Sequence, residues 1–435
     1  MLSGMSQPAA DRPRPSAVPD APLLPALVRA LPARIGARAA RALVTELARR
    51  PGPKTALLIG AGPDSPVLAA AIDAVLPEDA LMVLTPDPAA VRTHLAGLGG
   101  WVTDRVRVVE SPAGLDPVDV LVLAEPVTGE TEPARARLDE LAKLLAPGGV
   151  LVAAAVAVPG IAPGAAAELD RQAALSGVGS DLVVRNLPPV RVHRLSWTAP
   201  DPALADRLHP VARPSSIRLT RDLHIDSHGV AGAGIALGLA ALVRLARPGR
   251  RLWLLPALAA VPLAGFFRDP EREPPEDPAL VVAASDGAVL SVERVSDDRF
   301  SAGGGSADYL RVAVFLSVLD VHINRAPVAG RVVDHFLVDG GYAAAMTPAG
   351  EHNVAAYTVL ETTRGRVVVA QRTGLLARRI VHRAPVGSLL ARGERFGLIR
   401  FGSRTDVYLP ADAAEILVAV GDRVLGGTTP LARWR

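Results

Sequence analysis

The chain has 435 residues, a formal net charge of +3 and a hydrophobic fraction of 49%. This length is sufficient for two or three folded domains. Because no cysteine is present, disulfides, thiol catalysis and cysteine-ligated metals are excluded, and we predict no metal site. The sequence also lacks the basic and aromatic clustering typical of nucleic-acid binding, so no nucleic-acid partner is expected.

The first residues of the chain differ in composition from the rest. Residues 1–22 are rich in proline and alanine and have no apolar periodicity, which predicts a disordered tail. They also lack the charged start, apolar core and cleavage site of a signal peptide. We therefore expect the functional groups to lie in the cytosol or at the inner face of the membrane.

Residues 36–205 have the pattern of a Rossmann-like α/β domain. Short apolar strands are predicted at 55–59, 81–84 and 119–123, with a helical stretch after the first of them. The segment LAPGGVLV at 145–152 resembles the helix-to-strand turn of the class I S-adenosylmethionine methyltransferases. The sequence therefore predicts a parallel sheet covered by helices.

Three residues of this domain are candidates for cofactor binding. Gly60 and Gly62 form a glycine turn after the first strand, and Asp87 follows the second. In a Rossmann-like sheet, such a turn holds a phosphate or a carboxylate at a helix start, and the acid binds ribose hydroxyls. S-adenosylmethionine or a nucleotide is the cofactor that this pattern suggests. The fold hosts many functions, so an active methyltransferase and a non-catalytic scaffold both stay open.

Residues 226–270 are predicted to form an apolar helical hairpin associated with a membrane. Uncharged runs at 229–243 and 252–267 are separated by the arginine-rich segment 244–251. Both runs are shorter than the about twenty apolar residues that cross a bilayer. The hairpin would dip into one leaflet, or span it tightly with the arginines reaching the interface. Two buried helices of a soluble protein are the alternative.

Residues 271–435 are predicted to form a mainly-β, barrel-like or sandwich domain, because short β-rich runs alternate with glycine and proline. Four segments occur in the order typical of one enzyme family: DVHINRAP at 320–327, GLLARRIV at 374–381, GERFG at 393–397 and RFGSRTDVYLP at 400–410. They resemble the phosphatidylserine decarboxylases, and in particular the short branch found in archaea and many bacteria. Enzymes of this family cut themselves at a Gly-Ser bond and turn the serine into a pyruvoyl group.

The resemblance implies a cut between Gly402 and Ser403. Ser403 Oγ would attack the carbonyl of Gly402, and the ester would eliminate and hydrolyse to a pyruvoyl cofactor. This carbonyl would form a Schiff base with phosphatidylserine, accept electrons as CO₂ leaves, and release phosphatidylethanolamine. Pyridoxal phosphate is disfavoured as the electron acceptor, because the only lysines, Lys54 and Lys143, are far from the motifs in the sequence.

His322 is the candidate base for this chemistry, since imidazole titrates near neutral pH. Asp286 would orient it or share the proton transfers. Two departures from the family pattern bear on these roles. The proline of a common Ser-Pro-Ala-Asp-Gly segment is absent before Asp286, and Arg325 stands where another branch has a second histidine. Arginine cannot act as a base at physiological pH, so either His322 has both roles or Asp286 takes one.

The resemblance also implies where the enzyme acts. We expect it at the cytoplasmic face of the cell membrane, bound to phosphatidylserine and other anionic lipids. Large and small chains from one precursor would stay associated. Two alternatives remain: a methyltransferase whose C-terminal domain is an inactive membrane anchor, and a β-sandwich module that binds lipid or cofactor. Acyl-chain preference and oligomeric state are not predicted.

Overall fold

A computed structural model provides the three-dimensional description. The structure describes residues 34–157, 164–213, 216–247, 249–300, 307–375, 379–400 and 403–435. The tail predicted at 1–22 and the candidate cleavage residue Gly402 lie outside the described residues.

The N-terminal part of the described chain contains a seven-stranded sheet with helices on both faces. Its strands are β1 (Thr55–Ile59), β2 (Ala80–Leu84), β3 (Val106–Val109), β4 (Val118–Leu123), β5 (Leu145–Val156), β6 (Gly177–Val183) and β7 (Val190–Leu195). The helices are α1 (Ala37–Leu43), α2 (Thr45–Arg49), α3 (Pro66–Ala74), α4 (Pro88–Gly97), α5 (Gly100–Thr103), α6 (Thr131–Ala142) and α7 (Ala165–Ser176). A 3₁₀ turn follows at Pro202–Arg207.

The strand order of this sheet is β3-β2-β1-β4-β5-β7-β6. Strands β1 to β5 are parallel, and β7 is antiparallel to both β5 and β6. Adjacent residues of β1 lie on opposite faces of the sheet and belong to two separate hydrophobic cores. Leu58 is in the core that contains Leu68 of α3, and Leu57 is in the core that contains Leu138 of α6. A parallel sheet buried on both faces explains the nearly uninterrupted apolar strands. The Rossmann-like α/β prediction is confirmed.

Two apolar helices follow the first domain. The elements of this segment are β8 (Ile217–Thr220), β9 (Leu223–Ile225), α8 (Ser227–Ala246), a 3₁₀ turn (Arg251–Trp253), α9 (Leu254–Phe266) and β10 (Arg268–Pro270). Helix α8 spans twenty residues and exceeds the predicted apolar run, because Asp226 caps its start and Arg244 lies in its last turn. Within the described segments it is the one helix that is long and apolar enough to cross a bilayer. Length and composition alone give the membrane hairpin weak support.

The C-terminal part is built of antiparallel strands, which confirms the mainly-β prediction. The strands are β11 (Leu280–Val282), β12 (Gly287–Asp297), β13 (Ala307–Leu316), β14 (Ile323–Arg325), β15 (Gly330–Val338), β16 (Ala355–Thr362), β17 (Gly365–Arg372), β18 (Ile380–His382), β19 (Leu389–Leu390), β20 (Arg395–Ile399), β21 (Ser403–Pro410), β22 (Ala414–Ile416), β23 (Arg423–Val424) and β24 (Pro430–Trp434). A short 3₁₀ turn lies at Pro348–His352.

These strands form one large and two small sheets. The large sheet has the order β19-β15-β16-β17-β21-β13-β12-β23, and the small sheets are β14-β20-β18 and β11-β24-β22. One face of the large sheet contributes Val314 and Val407 to a core that also holds Phe396 and Leu431 of the small sheets. The site described below lies in this layered region.

Buried ion pairs join the Rossmann-like domain to the β domain. Arg49 of α2 lies 2.5 Å from the carboxylate of Glu394 and donates a hydrogen bond to the carbonyl of Leu389 at 2.9 Å. On its other side, Arg49 contacts Glu46, which also pairs with Arg194 of β7. Glu394 immediately precedes β20, so the first domain holds the strand that leads towards the cleavage segment.

Candidate active site

Ser403 is the first residue of β21, a central strand of the large sheet. This strand pairs with β13 along its whole length, where Ser403 opposes Leu316, and with β17 over 404–408. Because side chains alternate along a strand, Ser403 faces the same side as Val407, which lies in the core between the sheets. Ser403 is completely buried, and no described residue forms a hydrogen bond with its Oγ. Buried hydroxyl groups without a hydrogen-bond partner are rare in folded proteins. A role of Ser403 Oγ as a nucleophile would account for this one.

His322 lies just before β14, at the end of a small sheet. Its carbonyl accepts a hydrogen bond from the backbone N–H of Ile399 at 3.3 Å, four residues before Ser403. Its Nδ1 lies 2.9 Å from the carbonyl of Asp320. Because a carbonyl only accepts hydrogen bonds, Nδ1 must carry the proton. In the neutral ring, Nε2 is therefore unprotonated. This Nε2 is buried and has no hydrogen-bond partner in the described part of the chain.

The surroundings of His322 keep the ring neutral. Burial lowers the pKa of His322 to about 4, and the fields of Asp320, Arg268 and Asp286 are smaller effects. The ring of Phe266, at the end of α9, forms one apolar wall with ring centroids 4.2 Å apart. At neutral pH, His322 therefore offers an unprotonated nitrogen, as a general base requires.

Asp286 lies between β11 and β12 and has its own set of partners. Arg272 binds both of its carboxylate oxygens, at 2.5 and 2.8 Å, and the N–H of Gly426 donates to it at 2.9 Å. Asp286 was predicted to orient His322 or to share the proton transfers, whereas the carbonyl of Asp320 accepts the hydrogen bond from that ring. Of the two predicted roles of Asp286, sharing the proton transfers stays a prediction.

A hydrogen bond connects the turn that carries Asp286 to the strand of Ser403. Ser285 Oγ and Thr405 Oγ lie 2.7 Å apart, and both residues are fully buried. Gly287, which follows Asp286 in the chain, has a φ of +152°. A Cβ at this position would lie 2.0 Å from the carbonyl oxygen of Phe315. Only glycine fits this close approach of β12 to β13. The glycine of the Asp-Gly motif therefore has a steric role.

Arg325 has a structural role at the position of the absent second histidine. It is almost completely buried and lies 2.9 Å from Asp269. It also donates to the carbonyls of Pro270 and Gly393. These contacts tie β14 to β10 and to the turn before β20. They agree with the prediction that Arg325 is not a base.

The candidate cofactor residues of the first domain lie on a different sheet. Gly60 follows β1 with a φ of +85°, and its N–H donates to the carbonyl of Leu84 at 2.8 Å. A Cβ at Gly62 would have no atom within 4 Å. Asp87 is exposed and caps α4 by accepting a hydrogen bond from the N–H of Ala90. Strands β1 and β2 are parallel neighbours, so these residues share one edge of the sheet.

Comparisons with known proteins show the family of the chain. The family model for phosphatidylserine decarboxylase matches residues 263–432. The phosphatidylserine decarboxylase proenzyme of Symbiobacterium thermophilum is 54% identical over 170 residues, which cover 39% of this chain and 77% of that protein. The proenzyme of Mycobacterium tuberculosis is 40% identical over 237 residues, which cover 53% of this chain and 100% of that protein. The chain belongs to the phosphatidylserine decarboxylase family.

Family membership establishes the chemistry of the C-terminal half. The enzyme is a carboxy-lyase, made as a proenzyme, that acts in phospholipid biosynthesis. The pyruvoyl cofactor and the processing into two chains are implied by the same relationship. The alternative of a methyltransferase with an inactive C-terminal anchor is not favoured, because the family match covers all four motifs of the β domain.

The first domain was compared with solved structures. The mitomycin 7-O-methyltransferase MmcR is 18% identical with a TM-score of 0.28, covering 37% of this chain and 53% of that chain. An O-methyltransferase from Bacillus cereus in complex with SAH is 12% identical with a TM-score of 0.28, covering 40% of this chain and 88% of that chain. At these scores the likeness adds nothing, and the fold assignment rests on the observed strand order.

Sequence reasoning missed several residues of the site. Arg272 belongs to no recognised motif. Asp320 and Thr405 lie within the motifs of His322 and Ser403, but no role was predicted for either. Gln371 and Asn324, described below, form a pair that only the strand pairing brings together. Of this pair, only Asn324 had a signal in the sequence, because it lies in the motif of His322.

The pH dependence of self-cleavage tests the role of His322. Uncut chain isolated in denaturant would be refolded between about pH 3 and pH 8, and the cut followed by mass spectrometry. Since burial lowers the pKa of His322 to about 4, the rate is expected to be nearly constant from pH 8 to pH 5 and to fall as the pH drops through 4. The variant His322→Gln should cut at least about 100-fold more slowly.

The matched control is His352→Gln, since His352 is exposed. Its rate should equal that of the wild type. A rate that falls around pH 6.5, the ordinary histidine value, or normal cutting by His322→Gln, would contradict this role.

Proposed function

We propose that the precursor cuts itself between Gly402 and Ser403, with His322 as the base, and that the mature enzyme then converts phosphatidylserine into phosphatidylethanolamine and CO₂. The observation that supports these roles is that each of the two residues has a buried polar atom without a described hydrogen-bond partner. Ser403 Oγ and His322 Nε2 are both buried and have no described partner. One is a nucleophile that must lose a proton, and the other is an unprotonated base.

The self-cleavage can be written with balanced bonds. Ser403 Oγ attacks the carbonyl carbon of Gly402, and its proton passes to His322 Nε2. The C–N bond breaks, the proton returns to the amine, and an ester remains. Loss of the Cα proton of Ser403 then expels the carboxylate of Gly402 and leaves dehydroalanine. Hydrolysis of its imine tautomer gives the pyruvoyl group and ammonia.

The residues present fit a pyruvoyl group at this position. Ser403 starts β21, and the strands on both sides hold β21 by hydrogen bonds that the cut does not break. Ser403 is completely buried, which would shield a reactive ketone from bulk water. When formed, the group supplies the electron sink for loss of CO₂. Within this site, His322 would hold or deliver a proton at Nε2.

The association of the two chains is supported by the sheet topology. The small chain, 403–435, contains β21 and β24. Strand β21 lies between β13 and β17 of the large chain, and β24 pairs with β11. Separation of the chains would therefore break two sheets, so they stay together without a covalent link.

A lipid assay tests the proposed activity. Purified protein is expected to convert phosphatidylserine in vesicles into phosphatidylethanolamine, with one CO₂ released per lipid, as measured by lipid mass spectrometry and CO₂ trapping. Ser403→Ala should show no conversion, whereas Ser111→Ala, at an exposed position of the first domain, should match the wild type. Cut protein that leaves phosphatidylserine unchanged would refute the proposed reaction.

Membrane binding through α8 and α9 is the second part of the proposal. Their large apolar side chains, including Ile235, Leu239, Leu255 and Leu258, are more than half exposed. The end of α9 carries Phe266, which touches the ring of His322. A hairpin that inserts from the cytoplasmic face would therefore bring the base close to the lipid head groups.

Vesicle flotation tests this membrane contact. The double variant Leu239→Glu/Leu258→Glu should bind anionic vesicles at least about tenfold more weakly, since each charge disfavours insertion. The control Leu175→Glu removes an exposed leucine from α7 of the first domain and should float as the wild type does. Equal flotation of all three proteins would exclude the hairpin as the anchor.

The first domain has a second candidate function, the binding of S-adenosylmethionine. The supporting observation is the strand order, with a glycine at φ +85° after β1 and Asp87 after β2 on the same edge. In folds of this kind, the acid after the second strand binds ribose hydroxyls.

Equilibrium dialysis with labelled S-adenosylmethionine tests this function. Asp87→Asn is expected to weaken binding about tenfold, because it removes a charged acceptor. Asp116→Asn, at another exposed aspartate of the domain, should leave binding unchanged. Absence of binding by the wild-type protein would make the domain a scaffold.

A further inference from the structure

Beside Ser403 and His322 lies a buried pair of amide side chains, Asn324 and Gln371. Both residues are completely buried. Gln371 Nε2 donates a hydrogen bond to Asn324 Oδ1 at 2.7 Å. The other two polar atoms, Asn324 Nδ2 and Gln371 Oε1, have no partner in the described segments. Buried polar groups without partners are costly and therefore rare in cores.

The strand pairing places this amide pair next to the reacting groups. Gln371 of β17 opposes Thr405 of β21, and Thr405 is two residues from Ser403 on the same face. Ser403 is thus a diagonal neighbour of Gln371, within reach of a long side chain. On the other sheet, Asn324 is two residues from His322. The pair therefore joins β17, which is hydrogen-bonded to the strand of Ser403, to β14, which His322 directly precedes.

A comparison with Asn353 argues against a purely structural role. Asn353 is also buried, but its Nδ2 donates to the carbonyls of Ala343 and Thr373, and its Oδ1 accepts from the N–H of Ala343. All of its main hydrogen-bonding positions are therefore used. By contrast, the pair of Asn324 and Gln371 leaves one donor group and one acceptor group open.

The number of hydrogen-bonding groups without a partner does not depend on how the two amides are oriented. If both were turned over, Asn324 Nδ2 would donate to Gln371 Oε1, and Asn324 Oδ1 and Gln371 Nε2 would be free. Either arrangement presents one free amide NH₂ and one free carbonyl oxygen. Gly397 makes room for the pair, because a Cβ there would lie 3.0 Å from Gln371 Nε2.

We propose that this amide pair binds the serine head group of the substrate, an inference that rests on the proposed decarboxylase function. A serine head group carries one carboxylate, which accepts hydrogen bonds, and one amine, which donates them. The free NH₂ of the pair binds the carboxylate, and the free carbonyl oxygen binds the amine N–H. The pair thus distinguishes phosphatidylserine from its product, which has no carboxylate.

The neutral amides also suit the chemistry. An arginine would stabilise the carboxylate of the bound substrate more strongly than the transition state, in which this charge is being lost, and would slow the reaction. A neutral NH₂ recognises the carboxylate with a weaker electrostatic field. Asn324 and Gln371 are therefore binding residues that set head-group preference.

Two soluble probes that cannot be consumed test this inference on the mature enzyme. Glycerophospho-3-hydroxypropionate keeps the carboxylate where the serine head group has it but has no amine to react, and glycerophosphoethanol has neither group. Isothermal titration calorimetry should show that the wild type binds the first probe at least about tenfold more tightly, as expected for a hydrogen bond to a charged group. In Asn324→Leu/Gln371→Met the ratio of the two affinities should approach one.

The matched control is Thr358→Val, which alters a buried polar residue of β16 outside the site and should keep the wild-type ratio. If the double variant does not fold, Asn324→Asp keeps the size and replaces the free donor by an acceptor, so the ratio should fall below one. A wild-type ratio near one, or an unchanged ratio in the variants, would overturn the inference.

Self-cleavage measured by intact mass separates this inference from the proposed function. Both the double variant and Asn324→Asp should be cut as completely as the wild type. A folded variant that stays uncut would also overturn the inference, because it would assign the pair to self-cleavage. Failure of the proposed function has a different signature, a wild-type protein that makes no phosphatidylethanolamine.

Discussion

The hydrogen-bond ladder on both sides of β21 is the interaction on which the active site depends. It fixes which residues of the strand face the core, since a slip of one residue would turn Ser403 to the opposite face. On that opposite face, Asp406 is completely buried between Arg372 at 2.6 Å and Arg404 at 2.5 Å. A slipped β21 would separate Asp406 from Arg372 of β17, so this ion pair favours a single register. The same pair links the large chain to the small chain across the cleavage point.

Burial is the second requirement of the site, and it acts on each reacting group in a different way. It lowers the pKa of His322, so that a base is available at neutral pH. It also leaves Ser403 Oγ, Asn324 Nδ2 and Gln371 Oε1 without described partners. Each such atom costs about 1–3 kcal/mol of folding free energy. Local violations of good packing are expected where a fold is built for chemistry, and the surrounding apolar core compensates for them.

The sequence predicted the parts of this protein that depend on local patterns. The strand and turn signals of the first domain were sufficient for its fold class, and the motifs led to Ser403, His322 and Asp286. The partners of these residues were not predictable, because they come from pairing between distant strands. Gln371 lies in an ordinary β run, and only the pairing of β17 with β21 and its contact with β14 reveal its place. The length of α8 was underestimated because its polar capped ends do not belong to the apolar run.

The central claim is that Ser403 becomes the reactive group of a two-chain enzyme. The most direct test is the intact mass of the purified protein under denaturing conditions, beside that of Ser403→Ala. We expect two chains from the wild-type protein, separated at the bond between residues 402 and 403, with a pyruvoyl group at the start of the small chain. The variant should give one uncut chain. A single uncut wild-type chain, or a small chain that starts with an unmodified serine, would contradict it.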